Sequence, residues 1–192
     1  MQSRSLPATL ASMVLLCASA PAPAQELAFD LDPARTTVQF TLGGTLHTVH
    51  GSFKLKRGAI RFDPSTGKIG GEAVVDATSG ESDSEGRDRR MHDNVLESAR
   101  YPEIVFTPDR VEGVVAKQGA SQVEVHGMFR IHGAEHEVML PVHLEMTPMA
   151  DGRATAKIHF TIPYVKWGLK NPSTLFLRVS DKVDIDITAY TR

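Results

Sequence analysis

The chain of 192 residues has the length and composition of one folded domain. Its formal net charge is −2, and basic and acidic residues are mixed along the sequence, so we expect no nucleic-acid partner. Beyond the N-terminal region, no run of residues is long and apolar enough to anchor the mature chain in a membrane.

The N-terminal region has the pattern of a secretory signal peptide. Arg4 precedes an apolar run over residues 6–20, and Ala-Pro-Ala-Pro-Ala closes the run. Such a run is too short to span a bilayer, and small residues at its end are typical of a cleavage site. We predict cleavage after Ala24, with Ala20 as the second choice, and export to the periplasm.

This prediction divides the chain into a signal peptide, residues 1–24, and one domain, residues 25–192. Cys17 raises the alternative of a lipoprotein whose thiol is acylated, but Leu16 stands before it, where a small side chain would be expected. Because Cys17 is the sole cysteine, the mature chain can form no disulfide.

Apolar and polar residues alternate along most of the mature chain, which is typical of strands with one buried face. The predicted strands cover residues 37–42, 47–56, 60–62, 74–76, 104–116 with a break near Pro108, 123–131, 138–146, 154–162 and 183–190. Asp151-Gly152 is a hairpin signal between two of them. About eight strands joined mainly by hairpins indicate an antiparallel sheet, which buries its apolar face as two packed sheets or as a closed barrel.

The alternation is interrupted between residues 76 and 106. Ser82 and Glu85 have the spacing of a capping box, which makes Ser82 the predicted helix cap. Apolar residues then recur at helical spacing, and Tyr101-Pro102 ends the helix. These apolar residues are Met91, Val95 and Leu96.

The interrupted stretch also carries a family resemblance. Its residues fall in a characteristic order: Asp76 and Ser79 ending a strand, Arg87-Asp88 opening the helix, Met91 in place of a usual Leu, and Tyr101 to Phe106 beginning the next strand. In this order they resemble the YceI-like family of bacterial periplasmic, lipid-binding proteins, over about residues 29–192. Gly80 and Val95 depart from the family pattern, in which an Ile and an aromatic residue are usual.

The resemblance implies an all-β fold, an eight-stranded antiparallel lipocalin-like β-barrel with one or two short helices. It also implies a periplasmic carrier that holds an amphiphilic lipid, in particular a polyisoprenoid such as an isoprenoid quinone or a polyprenyl lipid. We expect no catalysis, because the sequence offers no complete set of nucleophile, base and orienting residue, and we expect no cofactor or metal. Two alternatives stay open: an interaction or stress-response protein with a filled core, and a histidine-dependent hydrolase or isomerase. Association of two chains as a homodimer is also open.

Two sets of residues form the predicted lipid site. The tail is expected to contact inward-facing residues: Phe40, Leu42, Phe53, Phe62, Met91, Leu96, Phe106, Phe129, Leu140, Phe160 and Trp167. The head group is expected to meet His47, Arg87, Arg89 and Lys166. Each has a simpler alternative: Trp167 as core filler, His47 as a rim histidine, Arg87 as part of an internal salt bridge, and the arginine cluster as a solvated face.

One histidine pair has the sequence spacing of a helical metal site. His132 and His136 are four residues apart, but Gly133 and a turn between them exclude the helical face that would bring both imidazoles to one ion. We therefore expect no metal there.

Overall fold

The computed structural model describes residues 26–150, 153–174 and 178–192. The predicted signal peptide and the Asp151-Gly152 turn lie outside the described residues. The strands are β1 (Leu27–Asp30), β2 (Thr37–Leu42), β3 (Val49–Phe62), β4 (Ile69–Glu81), β5 (Glu103–Glu112), β6 (Gly119–Ile131), β7 (Ala134–Pro148), β8 (Ala154–Ile162) and β9 (Val183–Tyr190). Between β4 and β5, helix α1 (Glu85–Arg90) runs directly into a π-helical segment (Met91–Leu96).

Strands β2 to β9 form the predicted closed, eight-stranded antiparallel barrel. Each strand pairs with its neighbour in sequence, and β9 pairs back with β2. Both β1 and β2 pair with β3. Strand β2 pairs with the first half of β3, and the short β1 pairs with its last residues, from Leu27↔Phe62 to Asp30↔Ala59. The two strands therefore lie one after the other along the same edge of β3. Closure leaves no long unpaired edge among these strands.

The alternation of the sequence places one face of each strand inside the barrel. On β7, for example, Val138, Leu140 and Val142 are buried, whereas the residues between them are exposed. The predicted break near Pro108 is a register shift between Pro108 and Arg110 in the pairing of β5 with β6. Strand β3 begins at Val49, two residues later than the alternation predicts, so His47 lies in the β2–β3 loop.

The start of α1 differs from the predicted capping box. Ser84, not Ser82, is the residue before the first helical turn, and it makes no side-chain cap. The Ser82 hydroxyl instead donates to Asp88 Oδ1, one turn into the helix. The helical segment ends at Glu97, whose left-handed φ of 46° turns the chain toward β5.

The antiparallel order brings four connections to one end of the barrel, here called the helix end. They are the β2–β3 loop, the helical segment, the β6–β7 turn and the β8–β9 connection. No helix within the described residues is long and apolar enough to cross a membrane.

Candidate functional site

A cavity of about 750 Å³ occupies the interior of the barrel. Every barrel strand contributes inward-facing apolar side chains to its wall. All of the predicted tail-binding residues except Trp167 line it: Phe40, Leu42, Phe53, Phe62, Met91, Leu96, Phe106, Phe129, Leu140 and Phe160. Their contact with a lipid stays a prediction. A barrel with this cavity does not fit the filled core of the interaction-protein alternative.

The charged groups of the cavity wall lie at the helix end. Among the described residues, Arg87 and Arg90 from α1 and Arg178 from the β8–β9 connection line the cavity, together with His47 from the β2–β3 loop. Arg90, Arg178 and His47 are solvent-exposed. The site therefore combines an apolar interior with a cationic mouth.

The side chain of Arg87 fastens the start of α1 to the barrel rim. Its Nε donates to Ser82 Oγ at 2.7 Å, and its terminal nitrogen donates to the Ser82 carbonyl oxygen. Burial alone would raise the pKa of Asp88, but hydrogen bonds from Ser82 and the charge of Arg87 outweigh burial and hold that pKa below its ordinary value. Arg87 thus joins Ser82 and Asp88 in one network while it lines the cavity.

A second set of hydrogen bonds that holds the helical segment comes from His92 in the π-helical segment. Its Nε2 lies 2.8 Å from the Gly80 carbonyl oxygen, and its Nδ1 lies 2.9 Å from Ser98 Oγ. Since a carbonyl only accepts, Nε2 carries a proton, and in the neutral ring Nδ1 accepts from the serine hydroxyl. The helical segment is thereby held against β4 next to the cavity.

Gly80 leaves room for two side chains of the cavity wall. A Cβ atom at this position would stand 2.5 Å from Phe53 Cε1 and 2.7 Å from Met91 Cε. The isoleucine that is usual at this position in the resembled family would therefore displace Phe53 or Met91. Because residue 80 is a glycine, both side chains can lie where they do beside the cavity.

Comparison with known proteins places the chain in a family. The model of the YceI-like domain matches residues 29–190. The chain belongs to the YceI-like family. No curated protein matches it at a significant level.

Three solved structures show how widely this YceI-like fold is shared. Burkholderia cenocepacia BcnA is 15% identical with a TM-score of 0.70, over 85% of this chain and 100% of that one. A polyisoprenoid-binding domain from Saccharophagus degradans, implicated in plant cell wall breakdown, is 17% identical with a TM-score of 0.61, over 84% and 96%. The Campylobacter jejuni YceI protein is 18% identical with a TM-score of 0.59, over 77% and 86%.

Trp167 is not part of the cavity wall of this YceI-like domain, which corrects its predicted role. Its ring stacks on His136, with centroids 4.8 Å apart and planes at 8°, and lies 5.2 Å from the ring of Phe129. Phe129 lines the cavity and is the cross-strand partner of His136, so Trp167 packs against inward-facing rings at the helix end of the barrel. Burial lowers the pKa of His136, which favours the neutral imidazole in this stack.

Two of the predicted head-group residues also lie away from the cavity. Arg89 is exposed and does not line it, because a helix rotates by about 100° per residue and the cavity side of α1 carries Arg87 and Arg90. Lys166 is exposed in the turn after β8. His47 does line the mouth, but as an exposed loop residue and not as a buried strand residue.

The sequence reasoning missed Arg90 and Arg178. A helical wheel that starts at Arg87 would have selected Arg90, three residues on, instead of Arg89. Arg178 has no comparable signal, because it lies in an irregular connection. Within that connection, the Tyr164 hydroxyl donates to the Ser180 carbonyl oxygen at 2.7 Å, and burial raises the pKa of Tyr164 to about 12. The backbone N–H of Thr45 in the β2–β3 loop donates to the Arg178 carbonyl oxygen at 2.9 Å, which holds Arg178 at the helix end.

Proposed function

We propose that this protein is a binding protein that holds an amphiphilic lipid in the barrel, and that the lipid is a polyisoprenoid: an isoprenoid quinone or a polyprenyl lipid. The observation that carries the proposal is the apolar cavity of about 750 Å³ inside the barrel. Its volume falls within the range of about 300–1,000 Å³ typical of small-molecule pockets.

An alkyl or isoprenoid chain is the ligand that such a wall favours. The wall offers few hydrogen-bonding groups apart from those at the mouth. Transfer of apolar chain from water contributes about 0.8 kcal/mol per buried CH₂. Polar ligands would lose their hydration in this interior without regaining hydrogen bonds.

The mouth suits a head group that accepts hydrogen bonds. The guanidinium groups of Arg90 and Arg178 are donors without acceptor capacity, and charge-assisted bonds to phosphate are stronger than bonds to a neutral oxygen. A quinone carbonyl or a prenyl phosphate meets this requirement, and the phosphate would gain more. We therefore favour an anionic polyprenyl lipid.

The family and its structures support this reading. The similar Saccharophagus degradans structure is that of a polyisoprenoid-binding domain. We further propose that the protein acts as a carrier in the periplasm, since the N-terminal sequence has the pattern of an export signal. We also propose that it has no catalytic role, since the YceI-like family is a family of binding proteins.

Thermal unfolding with added lipid tests the proposal. We expect the melting temperature of delipidated protein to rise with the concentration of a polyprenyl phosphate, because a ligand that binds only the folded state stabilises it. A saturated fatty acid of similar length serves as the control for unspecific apolar binding. Equal melting temperatures with and without polyprenyl phosphates and quinones would refute the proposed ligand class.

A further inference from the structure

Two histidines face each other on the outer surface of the barrel, away from the lipid cavity. His143 on β7 and His159 on β8 are direct cross-strand partners, with ring centroids 6.2 Å apart. Their neighbours Leu144 and Ile158 point inward and line the cavity. Both imidazoles therefore project from rigid strands on the opposite face of the barrel wall.

Asp186 fixes the orientation and tautomer of one of these rings. Its Oδ1 lies 2.8 Å from His159 Nδ1 across the pairing of β8 with β9. An ionised carboxylate only accepts, so Nδ1 of His159 carries the proton and Nε2 keeps its lone pair in the neutral ring. A carboxylate behind an imidazole is the usual arrangement around histidines that bind metal through the other nitrogen.

The ring separation is close to that of two imidazoles on one ion. Zinc binds imidazole nitrogen at about 2.0–2.1 Å, so two rings that share one tetrahedral ion have centroids roughly 5–5.5 Å apart. The 6.2 Å between the ring centroids of His143 and His159 exceeds this separation by about 1 Å. Rotation of the exposed His143 side chain closes this difference, while His159 stays hydrogen-bonded to Asp186.

We propose that His143 and His159 bind a divalent transition-metal ion such as Zn²⁺ or Cu²⁺, with Asp186 as a positioning residue and waters completing the shell. Imidazole is a preferred ligand of both ions, and Cu²⁺ is expected to bind more tightly. The surrounding outer face adds electrostatic attraction for a cation, because Asp184 and Asp186 lie on β9. The nearby positive charge of Lys157 is offset by Glu145, whose carboxylate lies 3.7 Å from it. This inference is independent of the lipid proposal.

A second group of donors on the outer face is a weaker candidate. Atoms of Glu112, Glu124 and His126 lie within 4.8 Å of one another. Arg110 already occupies this group, since its guanidinium lies 3.0 Å from Glu112 and 3.3 Å from His126 Nδ1. Donation by Arg110 to Nδ1 leaves the proton on Nε2, where a metal would need the lone pair. His126 therefore provides a matched control.

Titration of the untagged mature protein with Zn²⁺ by calorimetry tests the site. We expect one ion per chain, and a loss of affinity of roughly tenfold or more in His143→Ala and in His159→Ala. Asp186→Asn should bind more weakly than wild type but more tightly than either histidine variant. His126→Ala should bind as wild type. Equal melting temperatures of the variants without metal would show that the fold is intact.

Copper provides an independent spectroscopic test. The electron paramagnetic resonance spectrum of the Cu²⁺-loaded protein should show two coordinated nitrogens, reduced to one in either histidine variant. The proposal would be overturned by the absence of saturable binding, by wild-type affinity in both histidine variants, or by a loss of binding in His126→Ala alone.

Discussion

The backbone of Gly80 lies directly against the side chain of Met91: a Cβ atom on Gly80 would stand 2.7 Å from Met91 Cε. A larger residue would displace Met91 and Phe53 toward the cavity or strain the wall by about 1–3 kcal/mol. We predict that Gly80→Ile lowers the affinity for a polyprenyl phosphate by about tenfold or more.

The control for this prediction is Gly70→Ile on the same strand. An added Cβ at Gly70 meets no atom within 4 Å. Affinities are measured by titration of delipidated protein. If Gly80→Ile and Gly70→Ile bind the lipid equally well, Gly80 has no part in setting the size of the cavity.

Phe129 connects the cavity wall to Trp167. It is 6% exposed, and its ring lies 5.7 Å from Phe106 and 5.2 Å from Trp167. We predict that Phe129→Ala lowers the free energy of unfolding by about 3–5 kcal/mol, because it removes a buried aromatic ring. Urea unfolding measures this, with the fluorescence of the single tryptophan as the probe. Met139→Ala, at a residue 56% exposed, should change stability by no more than about 0.5 kcal/mol.

The mouth arginines are expected to select for anionic head groups. We predict that Arg90→Gln and Arg178→Gln each weaken binding of a polyprenyl phosphate by about two- to fivefold, since exposed charge pairs contribute about 0.2–1 kcal/mol. Binding of the neutral polyprenol should stay unchanged. Arg89→Gln is the matched control from the same helix. An equal loss of affinity for the polyprenyl phosphate in Arg89→Gln would show that the weaker binding comes from the change in overall charge.

Asp88 should make the stability of the domain depend on pH. Its folded-state pKa lies below the ordinary value of 3.8, so the ionised carboxylate contributes stability above that pH and loses it as pH falls through the folded-state pKa. We predict that wild type is more stable than Asp88→Asn at pH 7 and that the difference narrows below about pH 4. Urea unfolding across this range measures it. A difference that is constant with pH would show that ionisation of Asp88 plays no part.

Much of the barrel could be predicted, because the alternation of apolar and polar residues along a strand directly indicates which side chains are buried. Val138, Leu140 and Val142 face inward as their spacing requires, and Pro108 marks a real irregularity in β5. Local alternation did not reveal that β3 starts only at Val49, because the residues of the preceding loop happen to continue the same pattern.

The candidate site was less predictable, because it depends on contacts between distant segments. The inward apolar residues follow from strand parity, but Trp167 lies in a turn whose direction the sequence does not encode locally. Arg178 reaches the mouth only through the path of the β8–β9 connection. The pairing of His143 with His159 depends on the register between two strands, which periodicity leaves undetermined.

The most direct test of the lipid proposal is to identify what the protein binds in the cell. The chain would be expressed with its own N-terminal sequence in a bacterial host, purified from the periplasm without detergent, and extracted into organic solvent for mass spectrometry. We predict one isoprenoid lipid per chain, reduced in Gly80→Ile and retained in Gly70→Ile. An extract free of isoprenoid species would contradict the account.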